Sequence, residues 1–145
     1  MGKEVVSSLL NNDVELYVDS IIKEDFPRLT IATDKHFETE FHDLKLAIKV
    51  VNNIEEAISH INKFSSGHTE AILTESTAVA DLFTSSIDSS VLFINASTRF
   101  TDGEMFGFGA EIGISTQKLH VRGPMGLEAL TSEKYVVKGN GQIRK

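Results

Sequence analysis

Residues 89–126 constrain the fold most, because they join a short apolar run to a long glycine-rich segment. The run Val91–Ile94 is rich in β-branched and aromatic residues, which is typical of a buried strand. The segment that follows has almost no helical periodicity, so it is predicted to be a loop. Loops of this length inside a compact domain are usually functional or disordered. Its glycines are Gly103, Gly107, Gly109, Gly113, Gly123 and Gly126.

Apolar side chains spaced through the same segment argue against disorder, since disordered segments normally lack groups to bury. These side chains belong to Phe100, Met105, Phe106, Phe108, Ile112 and Ile114. Two interpretations remain, an ordered surface loop with apolar tethers or a wall of a ligand site, and we favour the second.

Strand-like and helix-like segments alternate at short spacing along the rest of the chain. This alternation predicts an α/β fold with a mostly parallel sheet and flanking helices. The segment 20–34 is mixed, and Pro27 opposes a helix through it. Val79, Leu82 and Phe83 are expected to be buried by their helix. Helices are predicted at 3–10, 54–64, 77–84 and 125–130, and strands at 14–18, 44–51, 70–74, 91–94 and 133–138.

Composition excludes several classes of protein. A net charge of −7 opposes binding to a nucleic-acid backbone. No apolar run reaches the ~20 residues that span a bilayer. The chain has no cysteine, so it holds no disulfide, no thiolate metal site and no cysteine nucleophile. The histidines and acids show no metal-binding spacing, and no metal is expected.

Several residues invite a catalytic reading that the pattern does not support. His60 is expected on the polar face of its helix, and His68 in a turn where it bonds the backbone. Ser97 and Thr98 have no evident His-Asp partners for a hydrolase triad. The sequence at 107–109 is not a dinucleotide fingerprint, because no helix follows it at once.

Three motifs carry a family resemblance: NASTRFTDG at 95–103, FGFGAEIGISTQK at 106–118 and HVRGPMGLEALT at 120–131. With residues 51–72, which fit a signature pattern, they resemble the C-terminal region of the γ-glutamyl phosphate reductases. These enzymes belong to the aldehyde dehydrogenase superfamily and act in proline biosynthesis. The resemblance begins near residue 14 and covers roughly the last third of such an enzyme.

The resemblance implies a domain plan. The whole chain, 1–145, is expected to be a single domain, with an aldehyde dehydrogenase-like catalytic portion at 1–132 and a substrate loop at 95–123. An arm at 133–145 would supply a C-terminal oligomerisation strand, with homo-oligomer contacts through residues 134–138. Other implied features are NADPH as cofactor, L-glutamyl 5-phosphate as substrate, glutamate 5-kinase as a possible partner and a cytoplasmic location.

In this family a cysteine thiolate attacks the acyl phosphate and expels phosphate, and NADPH then delivers hydride to the thioester. The nucleophile and the cofactor-binding domain lie upstream of the matched part, so this chain is expected to be inactive alone. The alternatives are a non-catalytic remnant that associates with intact subunits and a free-standing domain that binds small molecules.

The resemblance also implies site residues. Glu40 aligns with a glutamate that holds a ribose of the cofactor, although it could equally be a solvated acid before a strand. Arg99 is expected to anchor the substrate carboxylate, or else to pair with Asp102 or Glu104 on its own loop. The expected substrate-binding residues are Asn95, Ser97, Thr98, Arg99, Phe106 and Phe108.

The chain departs from the family pattern at a few positions. His36 and Phe37 stand where relatives usually carry an acid and a tryptophan. Lys45 interrupts an apolar stretch, and Val121 replaces a common alanine. These departures place the local packing near Glu40 in doubt, and not the family resemblance.

Overall fold

The computed structural model describes residues 2–145, which form two compact units. The first unit contains the residues up to Ser66 together with Thr74–Asp88. The second contains Gly67–Leu73 and Ser89–Lys145. The prediction of one domain over 1–145 stays a prediction.

The first unit alternates helices with short strands. Its elements are α1 (Gly2–Asn11), β1 (Glu15–Val18), α2 (Ser20–Asp25), β2 (Thr30–Ile31), α3 (Asp34–Glu38), β3 (Lys45–Ile48), α4 (Ile54–Phe64) and α5 (Thr77–Ser86). The strands form a parallel sheet of order β2-β1-β3.

Helices cover both faces of this sheet, as parallel strands require. On one face, Leu16 and Val18 of β1 form a core cluster with Val6 of α1 and Ile22 of α2. On the other face, the ring of Tyr17 stacks on His36 of α3, with the ring centroids 4.1 Å apart. Helix α4 lies on the same face as α3. The rings of His60 and Phe64 in α4 contact the ring of Phe37, which is next to His36 in α3.

Polar side chains set the starts of the helices, because they accept hydrogen bonds from N–H groups that the first turn leaves unpaired. The Asp19 carboxylate caps α2 through Ile22 N and also accepts from Val50 N at 2.7 Å. Asn53 caps α4, and Ser76 caps α5. The starts of α4 and α5 agree with the sequence prediction. Helix α2 was not predicted, and it ends two residues before Pro27.

The second unit contains two strand pairs. β4 (Thr69–Ile72) and β5 (Val91–Ile94) pair in parallel. β6 (Gly113–Ser115) and β7 (Gly123–Met125) pair antiparallel within the glycine-rich segment. Two 3-10 helices, Thr98–Phe100 and Glu128–Leu130, complete the unit. β5 has the predicted bounds, although its residues are half-buried or exposed rather than fully buried.

Some sequence predictions are wrong in detail. Pro124 lies in β7 opposite Ile114, not in the first turn of a helix, and only the short Glu128–Leu130 helix forms there. Leu82 is 39% exposed, and Ala80 is buried on that helix instead. Residues 133–138 form neither helix nor strand. A strand needs a hydrogen-bonded partner, and this tail has none among residues 2–145.

Candidate functional site

Hydrogen bonds order the glycine-rich segment. The Asp102 carboxylate Oδ1 accepts from the N–H groups of Glu104 and Met105 at 2.9 and 3.0 Å. The Gly103 N–H donates to Glu111 Oε2 at 3.0 Å, which closes the loop between them. The Ile112 N–H donates to the carbonyl of Met125. The segment is therefore an ordered loop, as its apolar residues predict.

Two glycines allow close backbone approach within this loop. A Cβ added at Gly126 would lie 2.8 Å from Phe108 Cβ and 2.9 Å from Phe108 O. A Cβ added at Gly103 would clash with the carbonyl oxygen of Ala110. Neither contact leaves room for a side chain, so both positions require glycine.

The approach of the loop to Gly126 forms one wall of a cavity of about 440 Å³. Apolar groups dominate its lining, and Glu128 is the one charged residue in it. The lining residues are Gly107, Phe108, Val121, Pro124, Gly126, Glu128 and Ala129. This volume lies within the range of small-molecule pockets.

Of the predicted substrate residues, only Phe108 lines this cavity. Its ring meets the Phe106 ring edge to face, with the ring centroids 6.0 Å apart. Phe106 and Phe108 are 39% and 50% exposed, so both still present apolar surface to solvent.

The other predicted substrate residues follow the end of β5. Asn95 has a φ of 55°, and its N–H donates to the Ile72 carbonyl at 2.8 Å. The left-handed turn at Asn95 ends the strand. The Ser97 hydroxyl then accepts from Arg99 N at 3.2 Å and begins the 3-10 helix that carries Thr98.

Arg99 is exposed on that 3-10 helix. Within the described chain no ion pair joins Arg99 to Asp102 or Glu104, and Asp102 Oδ1 is occupied by the two backbone N–H groups. The alternative in which Arg99 only stiffens its own loop therefore has no ion pair to support it.

Glu40 belongs to the first unit, between α3 and β3. Its side chain is 82% exposed, and its Oε2 lies 3.7 Å from His42 Nε2. A contact of that length on the surface leaves the carboxylate able to accept other hydrogen bonds. His42 has a φ of 51°, so the chain turns sharply directly after the Glu40–Phe41 pair.

His60 and His68 have structural surroundings. The His60 ring lies 4.7 Å from the rings of Phe37 and Phe64, and burial lowers its pKa, with Lys49 and Lys63 adding to the effect. His60 therefore belongs to a half-buried aromatic cluster rather than to a polar face. His68 Nδ1 bonds the Thr69 hydroxyl at 2.6 Å, so its partner is a side chain and not the backbone.

Glu128, Pro124 and Ala129 are cavity residues that sequence reasoning did not select. The density of glycines signalled a special backbone here, but no pattern indicated which residues would converge. Among residues 2–145, no group of three or more His, Asp or Glu is placed to hold a metal ion. Within that same range no helix has the length and apolarity to cross a membrane.

The parallel strand pairings, the flanking helices and the ordered loop after β5 define the class as an α/β fold, which is consistent with a portion of an aldehyde dehydrogenase-like domain. The chain superposes on the crystal structure of γ-glutamyl phosphate reductase from Thermotoga maritima with a TM-score of 0.91. The two sequences are 50% identical, and the match covers 99% of this chain and 34% of that one. The sequence resemblance to γ-glutamyl phosphate reductase is therefore confirmed.

Curated relatives agree with the structural match. Gamma-glutamyl phosphate reductases from Thermoanaerobacter sp. (strain X514) and Bacillus cereus (strain B4264) are each 58% identical over 97% and 99% of this chain. The yeast enzyme matches more distantly, at 34% identity over 72% of this chain, with a TM-score of 0.53. The chain spans only 34–35% of the length of the two bacterial relatives. No family model matches it.

Proposed function

We propose that this chain forms the C-terminal portion of an NADPH-dependent γ-glutamyl phosphate reductase in the cytoplasm. The whole enzyme would reduce L-glutamyl 5-phosphate to L-glutamate 5-semialdehyde, with release of phosphate, in proline biosynthesis. The observation that carries this proposal is the match to reductases of that name over nearly the whole chain. Recovery of turnover on mixing with the complementary portion tests it.

The residues present in this chain indicate which catalytic roles it could fill and which the rest of the enzyme would supply. The chain has no cysteine, so the nucleophile would come from the complementary portion. NADPH, when bound, would supply the hydride. Glu40 would hold a ribose of this cofactor, because a carboxylate accepts bonds from vicinal hydroxyls. Its high exposure and its long contact with His42 are compatible with that role.

The substrate would lie along the segment after β5. Its α-carboxylate needs donors, which Ser97, Thr98 and Arg99 offer, and Asn95 places them by turning the chain at the strand end. Phe106 and Phe108 would flank the substrate and keep water from the thioester. The half-exposed faces of these two rings support this arrangement.

Replacing Arg99 by Lys should raise the KM for glutamate semialdehyde about tenfold in the assembled reductase. Lysine keeps the charge but loses the bidentate fork, and one lost charge-assisted bond costs roughly 1.5 kcal/mol. Steady-state kinetics and thermal melting measure the two effects, with the exposed Arg28→Lys as the matched control. A lower Tm with an unchanged KM would instead assign Arg99 to the loop.

The arm at 133–145 is proposed to associate with another subunit through residues 134–138. Tyr135, Val136 and Val137 are 89%, 70% and 91% exposed, which is unusual for three consecutive large apolar side chains. The same exposed surface supports the alternative function, a non-catalytic module that pairs with intact subunits. Glutamate 5-kinase stays a proposed partner without a contact surface.

Val136→Lys should weaken self-association of the chain at least tenfold, because it places a charge in an apolar strand contact. Sedimentation velocity over a range of concentrations measures the change. Leu119→Lys is the matched control, since Leu119 is 94% exposed in the same unit but lies outside the arm. An unsubstituted chain that stays monomeric at high concentration would remove the arm from this role.

A further inference from the structure

Three polar side chains connect β4 to the segment that follows β5. The His68 Nδ1 atom lies 2.6 Å from the Thr69 hydroxyl oxygen, and that oxygen lies 3.0 Å from the hydroxyl oxygen of Thr101. All three residues are half-buried and belong to the second unit. A hydroxyl group both donates and accepts, so Thr69 can bond both neighbours at once. We name these three residues the His68 relay.

The backbone holds the His68 end of the relay in place. Gly67 has a φ of 74°, so the chain makes a left-handed turn directly before His68. The His68 carbonyl then accepts from Val91 N at 3.1 Å and from the Ser90 hydroxyl at 2.6 Å. The imidazole therefore extends from a backbone position that two hydrogen bonds fix.

The other end of the relay lies where the predicted substrate segment ends. The Thr101 N–H donates to the Thr98 carbonyl at 3.1 Å and so closes the 3-10 helix Thr98–Phe100, which carries the exposed Arg99. Hydrogen-bond geometry in 3-10 helices is poorer than in α-helices. A helix of three residues therefore needs contacts outside itself to keep one conformation. The bond between the Thr101 and Thr69 hydroxyls is such a contact.

We infer that His68 is a positioning residue for substrate binding, which acts through Thr69 and Thr101 on the helix that carries Thr98 and Arg99. This inference rests on the proposed function, because that function assigns the substrate carboxylate to these last two residues. An arginine fork that is oriented before binding loses less side-chain freedom when the carboxylate arrives. Loss of the relay should therefore appear in the KM of the substrate and not in kcat.

The first test removes the middle hydroxyl of the relay. Thr69→Val keeps a branched side chain that suits a strand. In the assembled reductase it should raise the KM for glutamate semialdehyde about three- to tenfold at unchanged kcat, as expected for one lost hydrogen bond. Thr131→Val is the matched control, because the Thr131 hydroxyl bonds the Glu128 carbonyl of its own turn, in the same unit but outside the relay. The control should leave the KM unchanged.

Substitutions at His68 separate positioning from packing. His68→Asn places an amide donor and acceptor at the same number of bonds from the backbone as Nδ1, so it can still bond Thr69. His68→Leu keeps an apolar bulk without a polar atom. The leucine variant should match the KM of Thr69→Val, and the asparagine variant should restore the original KM. In an Arg99→Lys background, His68→Leu should have a smaller effect on KM, because the fork that the relay orients is already absent.

Hydrogen exchange at the Phe100 and Thr101 amides gives a readout that does not depend on activity. Both amides donate within the 3-10 turn, so Thr69→Val should speed their exchange about threefold or more, and Thr131→Val should not. Melting of each variant verifies its fold.

Four outcomes decide the inference. An unchanged KM in Thr69→Val and His68→Leu, with turnover intact, would overturn it and leave the proposed function in place. A lower kcat at unchanged KM would overturn it by assigning the relay to the chemical step. Equal losses in the asparagine and leucine variants would assign His68 to packing instead. Absence of turnover by the unsubstituted mixture would overturn the proposed function and this inference with it.

Discussion

The purified chain is expected to show no NADPH-dependent reduction or formation of glutamate semialdehyde by itself. The proposed chemistry needs a thiolate that attacks the acyl phosphate, and the chain has no cysteine. Loss of a catalytic nucleophile lowers kcat on the order of 10⁶-fold in a well-studied protease. The Ser97 hydroxyl of the predicted substrate segment serves as a helix cap, because it accepts the Arg99 N–H.

Mixing the chain with the complementary portion of a bacterial relative is expected to restore turnover. The measurement follows NADPH absorbance as a function of the ratio of the two portions, in material purified from a host that lacks the enzyme. A complementary portion with its cysteine replaced by alanine is the control and should stay inactive in the mixture. Turnover by the chain alone would contradict the proposed division of labour, and binding without turnover would favour the non-catalytic module.

The longer helices of the first unit, α1, α4 and α5, were predictable because local signals agree with each other. For α4, the Asn53 cap, the acids of the first turn and the apolar spacing of Ile54, Ile58 and Ile61 all indicate the same helix. By contrast, α3 has only five residues and little periodicity. The ring of Tyr17 stacks on its His36, and Thr33 N donates to His36 Nδ1. The stacking of Tyr17 on His36 is a tertiary contact between β1 and α3, and the sequence does not reveal it.

Pro124 shows why the second unit was harder to predict. Proline suits the first turn of a helix, and it also suits a strand position where no ladder N–H is needed. Only the pairing of Ile114 with Pro124 decides between these environments. That pairing joins residues ten positions apart through a loop, so local preference could not select it.

The candidate site was predictable only in part, because some of its features depend on local sequence and others on contacts between distant residues. The turn after β5 follows from an apolar run that ends at a polar cluster, and the structure places Asn95 there with a positive φ. The cavity depends instead on the approach of Phe108 to Gly126 across eighteen residues. A glycine in sequence indicates that a close approach is allowed, but it does not name the partner.

Gly126→Ala should destabilise the second unit and distort the cavity. Its Cβ would meet Phe108 Cβ at 2.8 Å, Phe108 O at 2.9 Å and Ala110 O at 3.3 Å, and two of these atoms belong to the backbone. Relief requires a shift of the loop, and overpacking of this kind costs about 1–3 kcal/mol. At roughly 4 °C per kcal/mol, the Tm should fall by about 4–12 °C.

Gly113→Ala is the matched control for this substitution. A Cβ at Gly113 meets only Met125 Cε, at 3.6 Å, which is an ordinary contact. Neither glycine has a positive φ, so the two substitutions share the same backbone effect and differ in the space available. Thermal melting followed by circular dichroism should separate them, with Gly113→Ala unchanged or slightly stabilised. If both variants have the same Tm, residues 103–110 can shift away from the new Cβ without loss of stability. The close contact of Phe108 with Gly126 would then not determine the position of the cavity wall.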